Sequence, residues 1–259
     1  MIRHLLHELA KDAIDPVAAA RRGLRPPLPK RFYQAAGVGE REGAFVVLLD
    51  GKIAKTPAKR PLALPTRALA QAVAAEWAAQ SETIDFAKMP LTRLVHLAVD
   101  RVADEAAAVA AEVTKYAGSD LLFYRAAEPA GLAAAQAAAW EPVIAWASEA
   151  LGAYFTLAEG VRFVAQPAAA LIAIRIEIGK FKPPFELAAL ASATTLTGSA
   201  LLALALARRR LTFEQAWAAA HVDEDWNMRR WGEDADAAAR RAARLHEFAA
   251  AARLFEMLA

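Results

Sequence analysis

The sequence predicts an α+β fold, a small β-rich N-terminal domain followed by a larger, mainly α-helical domain. Three observations predict it. Asp50-Gly51 stands between two extended apolar runs, a hairpin signal. The hydrophobic period changes from that of a strand to that of a helix at Pro65-Thr66. From there alanine-rich stretches, divided at Gly and Pro corners, run to the C-terminus.

Taken in order, Lys30 to Leu64 has the texture of strand and turn. Gly43-Ala-Phe-Val-Val-Leu-Leu49 is β-branched and apolar, and Lys52-Ile-Ala-Lys-Thr56 is the expected return strand. Asp-Gly suits the link because a type I′ turn needs positive φ at both central residues. Pro61 to Leu64 reads as a short edge strand. Gly37-Val-Gly39 precedes the strand and its third glycine is misplaced, so it reads as a loop, not a dinucleotide turn.

Thr66 caps a helix running through Leu69, Val73, Glu76 and Trp77 to Gln80. Leu91, Leu94, Val95, Ala98, Val99 and Val102 recur at three and four, an amphipathic helix, and a second helical stretch runs from Glu105 to Gly118. Ser119-Asp120 restarts a short turn before Tyr124. Gly131 to Leu151 is helical again, with a kink or break expected at Pro142. Val161 to Gln166 stays open between a strand and a turn. Thr212 with Gln215 makes a capping box, opening a helix to about Arg230. Gly232 breaks it, and Asp234 starts a last helix to about Met257. The expected division is residues 1–85, an N-terminal region with the β-rich domain (about 30–65) and a connecting helix, and residues 86–259, the helical domain.

Composition removes several function classes. With no cysteine there are no disulfides, thiolate nucleophiles or cysteine-ligated metals. Lys and Arg number 31 against 29 Asp and Glu, a net charge of +2. The densest basic runs, Arg208-Arg209-Arg210 and Arg229-Arg230, are too short for a phosphate-binding surface, so no nucleic-acid partner is expected. The N-terminus carries Glu8, Asp12 and Asp15 and has no long apolar core, unlike an export signal or a presequence. The uncharged run from Leu187 to Ala207 is the one candidate span. Its mid-segment Ser, Thr and Gly favour instead a close-packed helix in a helical core, and no membrane insertion is expected. A cytoplasmic protein is expected.

Catalytic motifs are missing. There is no phosphate loop and no nucleophile elbow, and Thr197-Gly198-Ser199 reads as helix interior with its hydroxyls bonded to the preceding turn. His4 and His7 lie three apart beside Glu8, but on a segment read as a solvated helix face, not a metal site. His96 reads as a packed or partly exposed helix residue and His246 as helix surface. Trp77, Trp140, Trp146 and Trp217 sit at helical spacing among apolar neighbours and read as core. No cofactor or metal is expected.

The acids Asp223, Glu224 and Asp225 are the most concentrated charge and sit, on this reading, inside the helix beside Trp226 and Trp231. Glu233, Asp234 and Asp236 fit the start of the last helix. For the first three, partner contact, internal structure and acid–base catalysis all remain open.

Several blocks occur together in order: Lys30-Arg31-Phe32-Tyr33; Leu49-Asp50-Gly51-Lys52 with Lys55-Thr56-Pro57; Leu64-Pro65-Thr66 to Glu76-Trp77 and Gln80; and Met89-Pro90-Leu91-Thr92-Arg93-Leu94. They continue with Tyr116, Ser119-Asp120-Leu121-Leu122 and Tyr124-Arg125; Gly198-Ser199; and Ala216-Trp217 with Asp223-Glu224 and Trp231-Gly232-x-Asp234. Together they resemble the ATP-twelve-type chaperone family, which assists assembly of the α subunit into the catalytic head of F-type ATP synthase. The resemblance implies a β-rich N-terminal domain, a helical C-terminal domain, no catalytic site, and a protein partner, the unassembled ATP synthase α subunit. It carries over Glu224 first, then Asp223, Trp77, Trp231 and Gly232, as candidate partner-binding positions, with Trp226 beside them. It suits a bacterial member. The alternatives are a membrane factor anchored by 187–207 and a small enzyme using the 223–225 carboxylates.

Overall fold

The computed structural model describes residues 28–160 and 163–259. His4, His7 and the rest of the N-terminal segment through residue 27 lie outside the described residues. The architecture is α+β, a strand-bearing N-terminal part followed by a larger helical part.

Strands β1 (Ala36–Arg41), β2 (Ala44–Leu49) and β3 (Lys52–Ile53) form an antiparallel meander. β4 (Ala63–Leu64) returns beside β2 on the edge that β3 also uses. Leu49 pairs with Lys52, so Asp50 and Gly51 are the central turn residues, with φ of 48° and 76°. The Asp50 carboxylate also accepts from the Gln34 and Ala35 amides at 3.0 and 2.8 Å. Gly37-Val-Gly39 lies in β1 and is not a loop. A second tight turn at Glu42-Gly43 folds β1 onto β2, and a Cβ added at Gly39 would come within 3.0 Å of Leu48 Cδ1.

Helix α1 (Arg67–Ala78) starts at Thr66, whose hydroxyl accepts from the Leu69 amide at 3.2 Å. It buries Leu69, Val73 and Trp77 and packs on β1 and β2. α2 (Pro90–Leu97) continues through a π turn (Ala98–Val102) into α3 (Ala103–Tyr116), kinked at Glu105. The two expected helices therefore meet where the sequence divides them, at Glu105, whose φ of −121° and ψ of 24° are non-helical. α4 (Ala130–Leu151) passes Pro142 unbroken. Pro142 and Ala138, whose carbonyl loses its partner, are both exposed, so water can take the vacant bond. β5 (Tyr124–Arg125) pairs in parallel with β6 (Ala158–Glu159). The strand thus precedes Val161. Residues 163–167 are irregular, and 161 and 162 lie outside the described residues.

After α5 (Ala168–Ile178), the apolar run forms two helices, α6 (Phe185–Thr197) and α7 (Ala200–Ala207). Gly198, at φ 69°, ends the first, and the Ser199 hydroxyl caps the second by accepting from the Leu202 amide at 3.0 Å. Thr197 does bond back, to the Ala193 carbonyl at 2.8 Å, but Ser199 caps forward. Both helices are sunk in the core, and among the described residues no helix is long and apolar enough to cross a membrane.

Asp120 is fully buried and fastens this break to the rest of the core. One carboxylate oxygen accepts from the Leu122 amide at 3.1 Å and the other from the Leu201 amide, at the start of α7, at 3.0 Å. The chain continues through α8 (Phe213–Ala220), α9 (Val222–Trp231) and α10 (Ala235–Leu258), and α10 packs along α6 and α2.

Candidate functional site

The site residues gather on α9, and a histidine decides where α9 begins. The capping box of Thr212 and Gln215 opens α8 as the sequence expects. The helix then breaks at His221, φ −122° and ψ 21°, instead of running to Arg230. Nδ1 of His221 lies 2.8 Å from the Trp217 carbonyl, and the imidazole rests on the Trp217 indole with centroids 3.8 Å apart. Burial pulls the His221 pKa down, against the Trp217 carbonyl and Glu224, which raise it. Nε2 has no hydrogen-bond partner among the described residues.

This break corrects the placement of the acids. Asp223, Glu224 and Asp225 occupy the first turn of α9, not the interior of a longer helix. There their charge opposes the positive end of the helix dipole.

Each acid then has its own partner. Asp223 Oδ1 accepts from Gln136 Nε2 on α4 at 2.7 Å, while Gln136 Oε1 accepts from the Ala126 amide at 2.7 Å. Asp225 pairs with Arg241 of α10 at 2.5 Å. Glu224 is the loosest: its side chain is 52% exposed, 3.7 Å from Arg244 and 3.9 Å from His221 Nε2. Gln136 and Asp225 thus lock α9 to α4 and α10, and Glu224 remains at the surface.

The aromatic candidates divide similarly. Trp226 is half-buried against Gly131 of α4, with Arg229 and Arg230 beside its ring at about 6 Å. Trp231 is 74% exposed at the end of α9. Gly232 follows with φ 88° and ψ 175°, a conformation in practice confined to glycine, and Asp234 caps α10 two residues on. Asp223, Glu224, Trp226, Trp231 and Gly232 therefore share one helix and its exit.

Trp77 stands apart. It is 4% exposed, packed edge-on between Tyr33 and Phe86, and its carbonyl accepts from the Tyr33 hydroxyl at 2.7 Å. Its neighbour Glu76 caps α2, accepting from the Leu91 and Thr92 amides at 3.0 and 2.7 Å. In this conformation Trp77 offers no face to a partner.

Sequence reading missed Gln136, His221, Gly131, Arg241 and Arg244. Gln136 left a signal, a lone polar residue at the centre of an alanine run, and it is buried. The arginines left none, because long cations on a helix are usually solvated. His96, read as packed or partly exposed, is buried, and burial lowers its pKa to about 4. Among the described residues no cluster of His, Asp and Glu is placed to hold a metal ion. What α9 presents to solvent is the Trp231 indole among Asp223, Glu224, Asn227, Arg229 and Arg230, on a braced scaffold, a set suited to binding another surface.

Comparison with known proteins is consistent with such a role. The family model described as ATP12 chaperone protein matches residues 30–148. The Atu1473 protein of Agrobacterium tumefaciens, a candidate chaperone, is 46% identical with a TM-score of 0.86, over 100% of this chain and 97% of that one. Atp12 of Paracoccus denitrificans is 41% identical with a TM-score of 0.83, over 89% of this chain and 99% of that one. A point mutant of the Paracoccus protein gives the same identity and TM-score.

Proposed function

The chain belongs to the ATP12 chaperone family, and we propose that within it this protein binds the unassembled α subunit of F-type ATP synthase. On this reading it shields the subunit's interface in the bacterial cytoplasm until the catalytic head forms, by binding alone and without catalysis. An unassembled subunit exposes a surface resembling a domain core cut in half, and such patches self-associate. A holding protein needs an aromatic anchor on a rigid base and a polar rim, and must also let go.

The observation that carries this reading is Trp231. An indole left 74% exposed two helical turns along α9 from Glu224, on a helix tied down at Asp223 and Asp225, has the form of a contact anchor. Glu224, Trp226 and Trp231 are proposed as contact residues, and Asp223 and Gly232 as the residues that hold them in place. Trp77 instead supports the packing of α1 against Tyr33 and Phe86.

The test is capture from lysate on the immobilised full chain. The reading expects free α subunit to be enriched over β, and the Trp231→Ala variant to lose most of that enrichment. Equal recovery of α and β, or none of either, contradicts it.

A further inference from the structure

A second surface on the molecule combines exposed apolar side chains with a basic end. Helix α5 is apolar on both sides. Ala170, Ile174 and Ile178 face the core, while Ile172 and Ile176, one turn apart, are 48% and 60% exposed. A surface helix ordinarily turns a polar face to water, so an apolar outer stripe asks for a cover.

The patch continues at the helix's N-terminal approach. Gln166, just before α5, exchanges two hydrogen bonds with the Thr156 backbone, at 2.9 and 3.0 Å. This ties the loop carrying Tyr154 to the start of α5. Phe155 anchors the loop by stacking on Phe123 at 4.5 Å, and its neighbour Tyr154 is left 70% exposed. These aromatic and aliphatic groups are held outward by fixed backbone.

The other end of α5 is basic. Glu177 is buried, and burial works against its charge, but Lys180 at 2.6 Å and Arg208 at 2.5 Å hold its pKa below the usual range. That pair of contacts brings the arginine run after α7 to the end of α5. Arg175, Lys182, Arg209 and Arg210 are exposed there and have no ion pair among the described residues. The Glu186 carboxylate nearby is occupied by the Lys182 amide at 2.8 Å. An apolar stripe with Arg175 on it and further cations beyond its C-terminal end, where Arg209 and Arg210 share a cavity with Glu186, Glu214 and Glu256, is complementary to an apolar stripe flanked by carboxylates.

We propose that the outer face of α5 docks an amphipathic, acid-flanked segment of a protein client. The segment's apolar side chains lie on Ile172 and Ile176, and its carboxylates face Arg175 and Arg209. This inference rests on the chaperone reading only in requiring a polypeptide client. It does not require that client to be the α subunit.

The test uses the full chain and two synthetic helical peptides with one shared leucine stripe, flanked by glutamates in one and by lysines in the other. Fluorescence anisotropy at low salt should show the glutamate peptide binding at least about tenfold more tightly. It should protect residues 168–180 from hydrogen exchange in the unmodified protein. Ile172→Ser with Ile176→Ser should abolish binding, and Arg175→Glu with Arg209→Glu should reverse the preference. Equal binding of both peptides, binding of neither, or protection elsewhere overturns the docking face. If the peptides behave as expected and the α subunit does not bind, the face stands and the α subunit is removed as client. If the α subunit binds and the peptides do not, the face alone falls.

Discussion

The Trp226 ring lies over Gly131 so closely that one added methyl group would overlap it. This contact seats α9 on α4, and with the Gln136–Asp223 bond it fixes where the helix points. Gly131 is in a helix, where alanine would ordinarily be favoured by about 1 kcal/mol. Here the substitution should act in reverse. Gly131→Ala is expected to destabilise by about 1–3 kcal/mol, through displacement of the indole. Urea unfolding followed by tryptophan fluorescence checks it; a stabilised variant would mean the ring is free to move.

Asp223 and Glu224 are adjacent in sequence but should separate in experiment. Gln136→Ala leaves the Asp223 carboxylate and the Ala126 amide without their partner and should cost about 1–3 kcal/mol. Glu224→Gln changes a half-exposed side chain and should stay within about 0.5 kcal/mol of the parent protein. Thermal unfolding of the two variants side by side gives the comparison. Equal losses would place Glu224 among the structural residues.

Trp231→Ala should leave the unfolding midpoint unchanged, because the side chain is largely in water. Affinity for the isolated α subunit should fall about tenfold or more, the loss of at least about 1.4 kcal/mol expected of a binding anchor. Titration calorimetry on the purified pair reads this directly. An unchanged affinity would move the contact away from α9.

The buried carboxyl of Asp120 gives a pH dependence of definite sign. Burial, the largest influence, pushes its pKa from the ordinary 3.8 up to about 6, against bonds from the Ser199 hydroxyl and the Leu201, Leu122 and Ala200 amides that lower it. A carboxyl whose pKa is raised by folding favours the fold when protonated. That advantage is full below about 4 and is lost as pH rises through about 6. The stability difference between the parent protein and Asp120→Asn should therefore narrow over this window, by at most roughly 3 kcal/mol. Urea unfolding at several pH values measures the gap, and a gap that widens with pH contradicts the assignment.

Local chemistry made much of this fold legible. Asp50-Gly51, Thr66, the Thr212–Gln215 box and Asp234 each act within a few residues, and each stands where its sequence pattern put it. What stayed hidden depends on contacts distant in the chain. Ser119-Asp120 and Gly198-Ser199 read as separate blocks, yet the Asp120 carboxylate holds the start of α7, and the Leu121 amide reaches the Gly198 carbonyl at 3.3 Å. Pairing far along the chain leaves no periodicity to detect. The α9 start was missed for a related reason. His221 has no breaker signature in sequence, and it ends α8 through its ring packing on Trp217. With the break at His221, Asp223, Glu224 and Asp225 form an ordinary acidic first turn.

The most direct measurement follows light scattering as purified α subunit is diluted from denaturant, with and without an equimolar amount of this protein. The account predicts that the chain keeps α subunit in solution as a discrete complex, and that added β subunit then takes it over. Scattering that rises to the same level whether or not the chain is present would contradict it.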